Sequence, residues 1–91
     1  MKLILTAVQH RTTNQNDLPY ITLSFYYPAK EKTVEYNVWS FIHNEASGLK
    51  HVWDNAQVAE LGKPYYVHFR KQIINGLEQF VLTSLVRLPN N

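Results

Sequence analysis

Apolar and polar residues alternate along much of this chain. Between Tyr20 and Tyr27, Ile21, Leu23 and Phe25 fall on one side, and Tyr20, Thr22, Ser24 and Tyr26 on the other. Successive strand side chains point to opposite faces, so alternation rich in β-branched and aromatic residues predicts a half-buried strand. A second such run covers Thr33–Ile42. There Val34, Tyr36 and Val38 form the apolar set, while Trp39 and Phe41 share the other face with Glu35 and Asn37. A third covers Tyr65–Ile73, with Tyr65, Val67 and Phe69 inward and Tyr66, His68, Arg70 and Gln72 outward. Lys2 to about Arg11 is apolar on both faces, Leu3, Leu5 and Ala7 opposing Ile4, Thr6 and Val8, as in a central strand. Leu77–Leu88 supplies the last strand, with Phe80, Leu82, Val86 and Leu88 expected on one face.

In the third quarter the period changes. Leu49, Val52, Trp53 and Ala56 recur at helical spacing, and Leu61 extends the stripe. Asn44 is the expected N-cap of a helix reaching about Leu61, with Gly48 weakening its first turn and Gly62 and Pro64 ending it. Trp53 belongs to the core in this reading, and Phe41 packs beneath the helix. Thr12–Asp17 reads as a polar surface loop, Ala29–Lys32 as a charged hairpin turn, and Pro89–Asn91 as a loose tail. Asn75-Gly76 is the strongest hairpin signal.

Three strands, a helix and two further strands match the order of an OB-fold, a five-stranded Greek-key barrel with its helix between strands three and four. The rival arrangement is an antiparallel sheet with the same helix on one face. The 91 residues hold one domain, 1–91. On an OB barrel, the outward face of strands two and three with its loops does the binding. Here Tyr20, Tyr26 and Trp39 are expected stacking platforms, Phe41 is a further candidate unless it packs beneath the helix, and Tyr66 adds an aromatic on strand four. Arg11, Lys30, Lys32, Arg70, Lys71 and Arg87 supply positive charge, and His68 shares a face with Tyr66 and Arg70. Aromatic faces stack bases and cations follow the phosphates, which is the chemistry of sequence-tolerant single-strand binding.

Composition narrows the field without deciding it. The apolar share is 45% and the net charge only +2, so charge alone does not mark a nucleic-acid binder. No cysteine is present, which excludes disulfides and thiolate chemistry. His10, His43, His51 and His68 lack metal-ligand spacing. The glycines are isolated and the serines lie outside nucleophile motifs, so neither an enzyme nor a cofactor is expected. The opening apolar run is too short for a signal peptide, and a soluble cytoplasmic protein is the expectation.

The chain also resembles the single-stranded-DNA-binding gene V proteins of filamentous phages. The resemblance rests on the Met1–Leu5 start and its polar loop, on Pro19-Tyr20, on Tyr65-Tyr66-Val67-His68, and on the Leu85–Pro89 close. It departs from that pattern at Asp17-Leu18, where the family has Gly-Lys, and in carrying a helix. The resemblance implies a homodimer that coats single strands, Tyr20 stacking on bases and Arg87 near phosphates. Non-sequence-specific single-stranded DNA binding in phage or plasmid replication is therefore the expected function. The alternative is a protein-interaction module using the exposed aromatics. Glu35 beside Trp39 and Glu31 between Lys30 and Lys32 favour that alternative. Double-stranded DNA ranks last, because no long basic helix is present to enter a groove.

Overall fold

In the computed structural model, which describes residues 1–89, five strands and one short helix follow the expected order. The strands are β1 (Lys2–Thr12), β2 (Pro19–Tyr27), β3 (Lys32–Trp39), β4 (Pro64–Ile74) and β5 (Leu77–Arg87), and helix α1 (Lys50–Gln57) lies between β3 and β4. They form one antiparallel sheet in the order β3-β2-β1-β4-β5. The strand that is apolar on both faces, β1, is the central one. The end of the expected tail, Asn90–Asn91, lies outside the described residues.

The alternation sets the core. Leu3, Leu5, Ile21, Leu23, Phe25, Val38, Val67, Leu82 and Leu85 are fully or almost fully buried, joined by Val52 and Ala56 from α1. Each such Leu, Ile, Val or Phe contributes about 1.5–3 kcal/mol relative to exposure. Two irregularities move residues from their expected faces. A register shift between Leu5 and Ala7 brings Val8, rather than Ala7, opposite Leu23 on the inner side. A second one makes Thr83 an extra residue in β5, because His68 pairs with Ser84 while Phe69 pairs with Leu82. One inserted residue swaps the two faces beyond it. Leu85 is therefore the core residue, and Val86, expected inward with Leu82, is exposed.

The helix is shorter than its sequence pattern. Asn44 does cap, but it caps a 3₁₀ turn at Glu45–Ser47, its Oδ1 accepting from the Ser47 N–H at 3.0 Å. Gly48 then takes a left-handed conformation, φ 75°, which ends that turn and delays α1 to Lys50. Leu61 lies beyond the helix and is 61% exposed, so it does not complete the apolar stripe.

The expected closed barrel is not formed. β3 and β5 are the two edges of the sheet, and no ladder joins them. The physical reason lies in the segment after β3, which inserts the fully buried His43 between these edges. Its Nε2 donates to the Leu82 carbonyl at 3.0 Å, and its Nδ1 accepts from the Trp39 N–H at 3.2 Å. A proton on Nε2 satisfies both bonds. Helix α1 packs against β5, β3 and β2. Bonds from one buried side chain, rather than a β3–β5 ladder, thus join the two edges of the sheet.

Candidate functional site

Three strands set one row of outward side chains. Arg11 pairs with Tyr20, and Tyr20 with Trp39, so these residues neighbour one another across β1, β2 and β3. The Tyr20 and Trp39 rings stack, with centroids 4.4 Å apart and planes 24° from parallel. Trp39 also meets Phe41, at 5.6 Å. Phe41, expected beneath the helix, is instead 43% exposed, because the chain turns away from β3 at Ser40 before α1 begins. The result is an aromatic cluster of Tyr20, Trp39 and Phe41 at one end of β2 and β3.

Two depressions meet at this cluster. One, of about 570 Å³, is lined by Thr13, Asn14, Gln15, Asn16 and Leu18 of the β1–β2 loop, and by Phe41 and Asn75. The other, of about 210 Å³, lies between Trp39, Phe41 and Ile42 on one side and Ile74, Asn75, Leu77 and Gln79 of the β4–β5 hairpin on the other. Phe41 and Asn75 line both, so the two adjoin. The loop holds its shape through Thr13, whose Oγ1 accepts from the Leu18 N–H at 3.1 Å and whose N–H donates to the Leu18 carbonyl at 2.9 Å. The hairpin tip is a tight turn in which Asn75 and Gly76 both have positive φ, 52° and 80°. That is the primed turn an Asn-Gly pair favours.

The cationic residues are dispersed. Arg11 stands beside Tyr20, its guanidinium bonded to Gln9. Arg70 shares a hairpin face with Gln72 and Ile74, and it donates to Gln72 Oε1 at 3.3 Å. Lys71 lies on the opposite hairpin face, 3.4 Å from Glu78 and over the Phe80 ring. Arg87 is paired with Glu60 at 2.6 Å, ten residues along β5 from Leu77 and roughly 33 Å away at the ordinary strand rise. Lys30 and Lys32 sit at the β2–β3 turn, where Lys32 pairs with Tyr27. That is seven residues from Tyr20, or about 23 Å of strand. Tyr26 and Tyr66 are exposed but lie toward the far end of the sheet, opposite Ile4 and Lys2 respectively. His68 faces Thr83, with its Nδ1 3.3 Å from the Thr83 hydroxyl. Glu35, opposite Ser24, stands between the Trp39 end and the Tyr26 end of the outer face.

No family model, curated protein or solved structure matches this chain. Its site is therefore read from its own residues. Of the eleven residues singled out in the sequence, Tyr20, Trp39 and Arg11 come together, and Arg70 lies on the hairpin face that leads to them. Tyr26, Tyr66, His68, Lys30, Lys32, Lys71 and Arg87 do not join that cluster. Sequence reasoning missed Ile74, Leu77, Asn75 and Gln79 as site walls, and it weighed Phe41 as a platform but favoured a place beneath the helix. One signal was available: Ile74 and Leu77 are large apolar residues flanking a hairpin tip, a position that solvent normally surrounds. No helix among the described residues is long and apolar enough to cross a membrane.

Proposed function

We propose that this protein binds single-stranded DNA without strict sequence requirement, as an OB-type module whose barrel is left open at the β3–β5 seam. The observation that carries the reading is the stacked Tyr20–Trp39 pair on the outer face, flanked through Phe41 by two adjoining depressions. Aromatic faces stack any base, the half-buried Tyr20 and Trp39 and the exposed Phe41 offer them here, and Arg11 and Arg70 supply charge for the backbone. Strand order and the position of α1 support an OB-type topology, and the binding surface of that topology is the face that bears these rings. The likeness to gene V-type proteins and a role in phage or plasmid replication belong to the same proposal. Titration with poly-dT, followed by tryptophan fluorescence at low and high salt, tests it. Saturable quenching that reverses with salt is expected. An unchanged signal at low salt contradicts it.

A second reading is favoured by the other hairpin face. Ile73 is 74% exposed and Phe80 47% exposed, beside the Lys71–Glu78 pair. An apolar strip with mixed charge suits contact with protein rather than with DNA. We assign it to self-association into a homodimer. Sedimentation of Phe80→Ser against the unaltered chain tests this, with a shift from dimer to monomer expected.

A further inference from the structure

We infer that the depression between the end of β3 and the tip of the β4–β5 hairpin is a subsite for one unstacked adenine, read by the side-chain amides of Gln79 and Asn75. The inference rests on the single-strand reading above and adds a base preference at one position along the strand. The cavity holds about 210 Å³, below the ~300–1,000 Å³ typical of sites for drug-sized ligands, so it suits one small planar group. Trp39 and Phe41 form an aromatic side, and Ile42, Ile74 and Leu77 apolar sides. Such walls accept the faces of a heteroaromatic ring and offer nothing to a phosphate. Polar contacts come from Asn75 and Gln79, each of which carries both a donor and an acceptor.

The chemistry of those amides selects the base. An unpaired adenine offers a carboxamide an adjacent donor and acceptor on both its Watson–Crick and its Hoogsteen edge, whereas cytosine, thymine and guanine offer none on the Hoogsteen edge, where guanine is best met by Arg or Lys. Among the described residues, the lining of this cavity includes no charged side chain. Gln79 is half-buried on β5 directly opposite Gln72, whose own amide oxygen is taken by Arg70. Asn75 is held by its turn at the rim, where it also lines the larger depression under the β1–β2 loop. A strand running from that loop past Phe41 therefore reaches the cavity without leaving the aromatic cluster.

The test uses short dT oligonucleotides in which one central residue is replaced by dA, dC or dG. A bound strand can slide until its favoured base enters the cavity, so a single replacement suffices. The unaltered protein is expected to bind the dA-containing strand at least ~5-fold more tightly than all-dT, with no gain from dC or dG. Gln79→Leu should remove that gap, so that the dA-containing and all-dT strands bind with equal affinity. Gln79→Glu, which keeps the size but only accepts, should bind every strand more weakly and transfer the preference to dC. Equal affinity for all strands, preference for another base, or a dA preference that survives Gln79→Leu overturns the subsite while leaving single-strand binding intact. Failure to bind any strand overturns both.

Discussion

His43 is buried, polar and bonded to two strands at once. Removing its ring leaves the Leu82 carbonyl and the Trp39 N–H without partners in a site closed to water. Leaving a buried group unsatisfied costs about 1–3 kcal/mol, so His43→Ala should lose at least that much in urea denaturation. Its titration gives a second expectation. Burial holds the imidazole pKa below its ordinary 6.5; the Leu82 carbonyl, and the Trp39 carbonyl 3.2 Å from Nδ1, oppose this by favouring the charged ring, and His51 and Arg70 reinforce it. As pH falls through 6.5, the unfolded chain takes up a proton that folded His43 refuses, so stability declines until the lowered folded value is reached. His43→Gln, which does not titrate, should show a smaller loss between pH 7.5 and 5 than the unaltered chain. At the site itself, Trp39→Ala should cost ~1–3 kcal/mol of strand affinity, the value of one stacked base. Trp53→Phe should cost none, because Trp53 packs against the core. Tyr20 and Trp39 were legible in the sequence, since alternation alone puts them on the polar face. His43 was not, because nothing local distinguishes a loop histidine in solvent from one wedged between strands 39 residues apart.

Among the elements, the β4–β5 hairpin decides whether a groove exists. Its tip holds two successive residues at positive φ, and a Cβ at Gly76 would meet nothing within 4 Å. The cost of Gly76→Ala is thus conformational, about 1–2 kcal/mol for a left-handed L-residue. That variant should bind strands more weakly, since Ile74, Asn75, Leu77 and Gln79 all depend on the tip, while its core stays folded by circular dichroism. The turn was plain in the sequence as Asn-Gly. What Ile74 and Leu77 face was not, because alternation assigns a side chain to a face but does not say what that face meets. The Thr83 bulge was equally hidden, since an extra residue in a strand leaves no mark on the apolar pattern until the face exchange exposes Val86. Likewise the apolar stripe ran through Gly48 and out to Leu61, while left-handed backbone at Gly48 and the end of α1 at Gln57 cut it at both ends.

The whole molecule measures 40 × 24 × 24 Å, and its cations are spread over that length. Of the six cations singled out in the sequence, Arg11 pairs with Tyr20 and Arg70 lies four residues before Ile74 on the hairpin face that bears the smaller depression; Arg87 and Lys71 are engaged by Glu60 and Glu78, and Lys30 and Lys32 crown the β2–β3 turn. Single-strand affinity falls with salt at roughly 0.7 per neutralised phosphate. Two contacts give a shallow logarithmic slope of about −1.4, whereas all six cations acting together would give about −4. The shallow value is expected from titrations across a range of salt concentrations.

One measurement tests the location and the ligand together. Backbone amide chemical shifts, followed by NMR during addition of a short dT oligonucleotide, should move at Tyr20, Trp39, Phe41, residues 13–18 and residues 74–79. The amides of Lys30–Lys32 and Arg87 should stay in place. Shifts confined to Ile73, Phe80 and the Lys30–Lys32 turn, or no shifts at saturating oligonucleotide, would contradict a single strand lying between the β1–β2 loop and the hairpin tip.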